Sequence, residues 1–411
     1  MDKTILHVDA NCFYASVETA LDPSLADKPT AVVGDSEKRH GIVLTANYIA
    51  KRSFGVKTGE PIWQAERKCP NLVKINAHMQ LYAEYSRRMR EILLSYSDYV
   101  EPFGCDEAWV ELRGMLKGSG EETAHRIRSR IKEELGITVS VGVSFNKIFA
   151  KLGSDMKKPD AVTVITRENF KDKVWGLPVE DLLYVGPKTK LKLNKRAVYT
   201  IGDLAHCDVR LVGSWLGKNG ELLHSYANGY DSSEVRAYDK PHEIKSIGNS
   251  TTCPYDLTEE NEVRTVLISL ADLVSYRMRK EGVQGREITI SIRDSRMHWI
   301  SHGHTFRRAT DISREISDCA FRLFKETYGW INPIRSLGIS VGRLCDKDMP
   351  IQLDLFSDEE KRSRLRTLDS ISDALKNRFG ADVILKARML QNRRLSLFAS
   401  GSQRHGASLR R

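Results

Sequence analysis

The segment FGCDEAWVEL, residues 103–112, places two adjacent carboxylates among mostly apolar residues, a pattern typical of a buried strand. Adjacent side chains of a strand point to opposite faces of the sheet, so at least one of Asp106 and Glu107 must lie against packed protein. An unpaired charge there is costly, and the sequence therefore predicts a positive partner. The simpler alternative, which explains most isolated Asp-Glu pairs, is that both carboxylates face solvent or pair with lysine and arginine.

The order of strand and helix patterns predicts the architecture around this segment. Strand patterns TILHVDA, 4–10, and PTAVVG, 29–34, alternate with helical patterns, among them residues 118–136, which end at a glycine. This alternation continues to about residue 165 and predicts an α/β layer domain.

The rest of the chain changes character twice. Over 172–238 short helices are punctuated by glycines, and the polar stretch 238–248 is typical of a linker. Between 244 and 343, strands and helices predict a small α+β domain in which two helices cover one face of a four-stranded sheet. A tail follows, with a helix predicted over 366–379.

Charge and cysteine usage restrict the function classes. Residues 1–239 contain 34 Lys/Arg and 32 Asp/Glu, whereas residues 240–411 contain 30 and 22, so the basic excess is C-terminal. Such an excess indicates contact with a polyanion such as nucleic acid, although a merely soluble basic surface explains the same charge. The seven cysteines form no CxxC pair, which predicts reduced, mostly buried thiols rather than a zinc knuckle or a disulfide framework.

The sequence contains no apolar run of about 18 residues that could span a bilayer. Its start, MDKTILHVDA, predicts a first strand rather than a signal peptide. We therefore expect a cytoplasmic protein that has no membrane contact.

A third carboxylate, Asp9 in HVDANCFYAS, ends the first predicted strand. Carboxylates on neighbouring strand ends form a hard-oxygen site of the kind that Mg²⁺ uses when it also binds substrate phosphates. Two such ions, ~3.5–4 Å apart, can activate an attacking oxygen and stabilise a leaving one. A divalent cation would then neutralise the charge of Asp106 and Glu107.

Four motifs in order carry a family resemblance: HVDANCFYAS, LTANYIAKRSFGVKTG, FGCDEAW and SVGVSFNKIFAKLGSDMKKPDA. Together they resemble the Y-family translesion DNA polymerases, of the bacterial polymerase IV and polymerase V catalytic-subunit type. The resemblance covers residues 1–165 and extends more weakly into the tail. It implies four parts: a catalytic palm and fingers over 1–170, a thumb with a helix–hairpin–helix over 171–238, a DNA-binding little finger over 239–345, and a tail over 346–411.

The resemblance also implies the catalytic residues. Asp9, Asp106 and Glu107 would hold two Mg²⁺ ions together with the main-chain carbonyl of Ala10. Asn11 stands where some members carry a further carboxylate.

The resemblance implies a set of nucleotide-binding residues: Phe13, Tyr14, Thr45, Tyr48, Lys51, Arg52 and Lys158. Tyr14 occupies the steric-gate position, where an aromatic ring excludes a 2′-hydroxyl, and Phe13 would pack beneath the sugar and base. Tyr48 and Lys51 lie three apart on a predicted helix, so both can reach the triphosphate. The segment KRSFG, residues 51–55, is one residue longer than is usual in this family, so either Lys51 or Arg52 would contact the triphosphate.

The helix after the strand pattern ITVSVGVS, residues 137–144, is expected to support the site. Ser144 could cap this helix, and Lys147 and Lys151 lie one turn apart on it.

Further segments indicate contact with DNA and a partner protein. VGPKTKLKL, 185–193, resembles a helix–hairpin–helix in which Gly186, Lys188 and Thr189 meet a DNA phosphate. LGKNGELLH, 216–224, is a poorer second copy. In the tail, QLDLF matches the peptide that binds the bacterial β sliding clamp, through Gln352, Leu353, Leu355 and Phe356.

The resulting hypothesis is an error-prone translesion DNA polymerase that adds dNTPs to a primer on template DNA. It would act as a monomer, lack proofreading and be tethered to the sliding clamp. The alternatives are a catalytically silent DNA- and clamp-binding adaptor, and a nucleotide cyclase with a similar carboxylate pair.

Overall fold

The computed structural model of the protein describes residues 3–34, 41–113, 119–240, 243–349, 358–380, 383–392 and 394–395. Within these residues the chain forms two compact units; the first ends at residue 240 and the second begins at residue 243. No helix in the part of the chain described is both long and apolar enough to cross a membrane.

The first unit is built from three groups of elements: two sheets with their helices, and a helical region at its C-terminal end. Its strands are β1 (Thr4–Ala10), β2 (Thr30–Val33), β3 (Val43–Ala46), β4 (Val73–Asn76), β5 (Val100–Pro102), β6 (Glu107–Leu112), β7 (Val139–Ser144) and β8 (Val162–Ile165). Its helices are α1 (Phe13–Leu21), α2 (Tyr48–Phe54), α3 (Ile62–Lys68), α4 (Met79–Leu94), α5 (Gly120–Leu135), α6 (Lys147–Met156), α7 (Phe170–Val174), α8 (Pro187–Asn194), α9 (Ile201–His206), α10 (Val209–Leu216) and α11 (Lys218–Ala227).

The larger sheet has the strand order β5-β6-β1-β7-β8, and β1 at its centre is antiparallel to both neighbours. TILHVDA is buried on both faces of this sheet, which is why its apolar residues run together instead of alternating. Helices α1, α4 and α5 cover one face, with a shared core that includes Tyr82 and Met89. A smaller sheet, β3-β2-β4, packs on α2 and α3.

Helix α6 lies on the other face of the large sheet at unusually short range. A Cβ on Gly142 of β7 would lie 1.9 Å from the Ala150 carbonyl oxygen, so only glycine permits this approach. Asn146 caps α6 by accepting from the Phe149 amide, whereas the buried Ser144 hydroxyl donates to the Ile165 carbonyl of β8. The prediction that Ser144 caps the helix is therefore wrong, because Ser144 is still the last residue of β7.

A buried ion pair joins α6 to the last segment of the unit. Lys147 Nζ donates to Glu101 at 2.8 Å, and both side chains are 11% exposed. The Arg236 backbone amide donates to the same carboxylate at 3.1 Å, and Val235 is buried beside Trp109. Residues 235 and 236 are thereby fixed on the large sheet.

The second unit has the strand order β11-β10-β12-β9, with every neighbouring pair antiparallel. Its strands are β9 (Ser246–Leu257), β10 (Val283–Asp294), β11 (Trp299–Thr310) and β12 (Ile334–Asp346), and its helices are α12 (Glu260–Lys280), α13 (Ser313–Thr327), α14 (Glu359–Phe379) and α15 (Ala387–Gln391). Helices α12 and α13 share one core with the sheet. The predicted α/β unit and the four-stranded sheet with two helices are confirmed.

Two boundaries differ from prediction. The strand predicted over 244–249 is present as β9, but it extends to Leu257, because Leu257 is buried and pairs with Ile334. Helix α14 begins at Glu359 rather than 366, since Asp358 caps it by accepting from the Lys361 amide.

Helix α14 is held to the second unit by charge rather than by apolar packing. Arg279 of α12 donates to Asp373 at 2.7 Å and to Asp369 at 3.4 Å. Lys376 is buried and pairs with Asp272. The buried face of this helix is therefore polar, which hides it from a search for apolar periodicity.

Candidate active site

The large sheet brings the predicted catalytic carboxylates together. Asp9 at the end of β1 lies opposite Glu107, the first residue of β6. Asp106 directly precedes β6, and its carbonyl accepts from the Ala10 amide at 2.9 Å. A nitrogen of the buried His7 and one oxygen each of Asp9 and Glu107 lie within 4.8 Å of one another.

Two lysines meet these carboxylates. Lys151 Nζ of α6 lies 2.8 Å from Asp9 Oδ2 and 2.5 Å from Glu107 Oε2. Lys158 Nζ lies 2.9 Å from Asp9 Oδ1 and 2.9 Å from Asp155 Oδ1. The positive partner predicted for this segment is thus, for Glu107 in the protein alone, the ammonium group of Lys151. Lys151, expected only to support the site, contacts it directly.

The carboxylates differ in how tightly they hold protons. Burial, opposed by the Lys151 ammonium and reinforced by Asp9, raises the pKa of Glu107 to about 7. Burial and the Asp9 charge also raise the pKa of Asp106. Burial alone would raise the pKa of Asp9, but Lys151 and Lys158 outweigh it and hold that pKa below its usual value. Asp9 is therefore the most firmly ionised of the three.

The structure places the predicted nucleotide-binding residues on α1, β3, α2 and the loop after α6: Phe13 and Tyr14, Thr45, Tyr48, Lys51 and Arg52, and Lys158. The Tyr14 ring stacks on Tyr82 with centroids 4.3 Å apart, and its hydroxyl lies 3.4 Å from Cys105 Sγ. Phe13 is 3% exposed and belongs to the core beneath. Tyr14 is thereby fixed by contacts on two sides.

Helix α2 carries a cluster of one ring and two cations. Asn47 caps the helix, and the Arg52 guanidinium lies 4.7 Å from the centroid of the Tyr48 ring. Lys51 Nζ approaches Cys12 Sγ at 3.3 Å, at the start of α1, whereas Arg52 donates to the Lys158 carbonyl at 2.8 Å. The two cations of this cluster therefore contact different parts of the site, the start of α1 and the loop after α6.

Sequence reasoning missed three residues of this site. His7 lies two residues before Asp9 on β1, and the period-two spacing that puts both on one face was the available signal. Tyr82 and Cys105 come from α4 and from the segment before β6, and no local pattern joins either one to Tyr14.

The residues predicted to meet DNA begin helix α8. Gly186 is its N-cap, Lys188 is exposed and Thr189 follows in the first turn. The poorer copy has Gly217 at φ 66° before α11. The clamp-binding residues Gln352, Leu353, Leu355 and Phe356 lie outside the described residues.

Comparison with known proteins identifies the family. Residues 8–155 match the impB/mucB/samB family, and residues 244–355 match the C-terminal domain of that family. A DNA polymerase IV of Acetivibrio thermocellus is 49% identical over 398 residues, which cover 96% of this chain and 100% of that protein. DNA polymerase IV 1 of Bacillus subtilis is 38% identical over 391 residues, covering 95% of this chain and 94% of that protein.

A solved structure, a chimeric Y-family DNA polymerase, matches with a TM-score of 0.75 and 26% identity, covering 84% of this chain and 99% of that one. The resemblance inferred from the motifs is thereby confirmed, and the relatives with which it agrees are of the polymerase IV type. This chain belongs to the impB/mucB/samB family of Y-family polymerases and is a DNA-directed DNA polymerase of the translesion class.

Proposed function

We propose that the enzyme adds dNTPs to a primer 3′-hydroxyl at the carboxylates of Asp9, Asp106 and Glu107, by two-metal-ion nucleotidyl transfer. The observation that supports this most strongly is the register of β1 with β6, which brings Asp9 opposite Glu107 although 97 residues separate them in sequence. Burying a charge is costly, so carboxylates without a binding role are expected at the solvent-exposed surface rather than together at one half-buried end of a sheet.

The donor set fits a divalent cation. Carboxylate oxygens of Asp9, Asp106 and Glu107, with the main-chain carbonyl of Ala10, are the hard ligands that Mg²⁺ prefers. When bound, a pair of Mg²⁺ ions would supply charge stabilisation to the attacking and leaving oxygens. The contribution of the chain itself is to hold Asp9 ionised, through Lys151 and Lys158, so that a strong anionic ligand is ready.

Tyr14 selects the sugar. Its ring is held by the stack on Tyr82 and by Cys105, so it cannot easily turn away from a 2′-hydroxyl. Tyr14→Ala is expected to raise ribonucleotide incorporation, measured as the ratio of kcat/KM for dNTP and rNTP. Unchanged sugar selectivity would refute this assignment, whereas Tyr14→Phe, which keeps the ring, serves as the control.

The triphosphate is bound by the cluster on α2 together with Lys158. Tyr48 presents its hydroxyl, and Lys51 points to the start of α1, near Asp9 in sequence. Arg52 ties the loop of Lys158 to α2 through the carbonyl contact. We assign the phosphate contact to Lys51 and the positioning of the Lys158 loop to Arg52, with Thr45 completing the pocket wall.

DNA is gripped outside this pocket. The amides at the start of α8, with Gly186, Lys188 and Thr189, bind a backbone phosphate. We assign residues 1–170 as palm and fingers, 171–238 as thumb and 239–345 as little finger. The basic HTFRR segment of the little finger, residues 304–308, would contact DNA phosphates, so this binding weakens with salt. The enzyme acts as a monomer in the cytoplasm.

The tail, residues 346–411, carries the QLDLF peptide, residues 352–356, which we assign to the bacterial β sliding clamp. Tethering raises the effective local concentration of a weakly bound enzyme on its primer. Deleting 352–356 is expected to abolish clamp-stimulated synthesis and to spare basal synthesis. Equal loss of both would contradict the tether.

Primer extension with Mg²⁺, on damaged and undamaged templates, tests the proposal. The wild type is expected to extend both and Asp106→Ala neither, with DNA binding retained. A variant that extends as well as the wild type would contradict the assignment, and a wild type that binds DNA without extending it would favour the adaptor alternative. A mismatched primer end is expected to remain uncleaved, because we propose no proofreading site.

A further inference from the structure

Helix α14 is built the opposite way from an ordinary surface helix. A surface helix normally buries its apolar face and exposes its polar one. In α14 the buried face is polar: Asp369 accepts from the Ser313 amide at 2.8 Å, and Lys376 is buried against Asp272. The apolar residues of this helix therefore lie on another side.

Four apolar residues form a row along the other side of α14, the outer stripe: Leu368, Ile371, Leu375 and Phe379. At 3.6 residues per turn their side chains fall within about 80° of one another, on the side of the helix away from Asp369 and Lys376. Leu368 is 62% exposed, Ile371 52% and Phe379 58%. The outer stripe is thus an apolar surface that faces solvent.

The ion pairs beneath α14 hold the outer stripe in this outward position. Arg279 donates to Asp373 at 2.7 Å, and the two side chains are only 11% and 14% exposed. Rotating the helix to bury the stripe would break these pairs and leave charges buried without partners, which is costly. A contiguous row of exposed apolar side chains on such a fixed element marks an interaction surface.

The position of α14 in the chain indicates which partner the outer stripe meets. The QLDLF peptide ends at Phe356, and only one residue separates it from Asp358, the N-cap of α14. Given the reach of two extended residues and the rise of the helix, Leu368 lies within about 22 Å of Phe356. A folded domain is about 30 Å across, so a protein bound to QLDLF reaches far enough to lie beside α14.

We infer that the outer stripe is a second contact surface for the sliding clamp. This inference rests on the tether proposed above and adds to it a contact on a folded helix. Lys361 and Arg378 border the stripe, so the complementary surface of the clamp is apolar with acidic groups around it. Because QLDLF already holds the clamp, the second contact forms at a high effective concentration and fixes the orientation of the second unit.

The double variant Leu368→Glu/Ile371→Glu tests the inference in the full-length chain. Both side chains are exposed, so Tm should stay close to that of the wild type. Its affinity for the purified sliding clamp, measured by surface plasmon resonance, is expected to fall about tenfold. Clamp-stimulated primer extension should fall with it, with extension in the absence of the clamp as the reference for each variant.

Ser370→Glu/Ala374→Glu is the matched control, since it adds the same charge at exposed positions of α14 outside the outer stripe. This variant is expected to bind the clamp as the wild type does. If the stripe variant binds the clamp as tightly as the control, or if both lose the same affinity, the inference is wrong.

Deleting 352–356 distinguishes failure of this inference from failure of the tether. If the deletion abolishes clamp binding while the stripe variant binds normally, the tether stands and the inference is wrong. If the deletion leaves clamp binding unchanged, the tether is wrong and the inference falls with it. A wild type that is dimeric in analytical ultracentrifugation, and that Leu368→Glu/Ile371→Glu makes monomeric, would assign the stripe to a second copy of the chain and overturn the inference.

Discussion

Replacing Lys151 by methionine removes the ammonium that neutralises the active-site carboxylates and keeps most of the side-chain volume. In the wild type this ammonium contacts Asp9 at 2.8 Å and Glu107 at 2.5 Å, and the lysine side chain is only 13% exposed. Breaking a buried ion pair from one side typically costs ~3–5 kcal/mol. Because Glu107, with a pKa of about 7, can take up a proton, we expect the lower end, about 3 kcal/mol.

Magnesium should reverse much of this loss. In Lys151→Met a cation binds the carboxylates without displacing an ammonium, so its dissociation constant should fall, and each tenfold fall adds about 1.4 kcal/mol of stability at saturating Mg²⁺. In a unit of this size a loss of about 3 kcal/mol lowers Tm by roughly 6–12 °C. Thermal unfolding with EDTA and with Mg²⁺, and calorimetric titration of Mg²⁺, measure both effects.

Lys147→Met is the matched control. Lys147 lies on the same helix as Lys151 and forms an equally buried ion pair with Glu101, away from the proposed cation centre. Lys147→Met should lower Tm in EDTA by a similar amount. Mg²⁺ should then raise the Tm of this variant by no more than it raises the Tm of the wild type. If the two variants respond alike to Mg²⁺, the reasoning is refuted.

Three further perturbations test the structure around the site. Gly142→Ala should lower the free energy of unfolding by about 3 kcal/mol or more and abolish primer extension, because the added Cβ would lie 1.9 Å from the backbone of α6. Gly176→Ala is the control. A Cβ there meets no atom within 4 Å, so neither Tm nor activity should change. Burial by itself would raise the pKa of Glu101, but the hydrogen bonds from Lys147 and Arg236 have the larger effect. They hold this pKa below its usual value. The ionised Glu101 therefore stabilises the folded state at pH values above its pKa in the unfolded chain, and this stabilisation is lost as the pH falls through its pKa in the folded protein. In Glu101→Gln the free energy of unfolding, measured by urea titration, should depend less on pH below about pH 5. Arg279→Met should speed hydrogen exchange in α14, measured by mass spectrometry, and unchanged exchange there would contradict the role of its ion pairs.

Much of the fold could be predicted because its signals are local. The strand TILHVDA follows from a short apolar run, and the helix that ends at Leu135 follows from apolar periodicity and from the glycine that comes after it. The start of α14 could not be predicted in this way, since its buried face carries Arg362, Asp369 and Lys376. A pattern search assigns such a face to solvent.

The site shows the same division. Motif order was enough to predict that Asp9 and Glu107 meet, and the structure pairs them across β1 and β6. The role of Lys151 as the partner of both carboxylates depends on how closely α6 approaches the sheet, which Gly142 permits. No spacing in the sequence reports that distance.

The proposed mechanism requires that the carboxylates gathered at the end of β1 and the start of β6 hold the catalytic cations. Anomalous diffraction from crystals soaked in Mn²⁺, with a dideoxy-terminated primer-template and the next dNTP, tests this most directly. We expect manganese peaks at bonding distance from oxygens of Asp9, Asp106 and Glu107. Manganese bound only to the triphosphate, with Asp9 and Glu107 still paired with Lys151, would contradict this role.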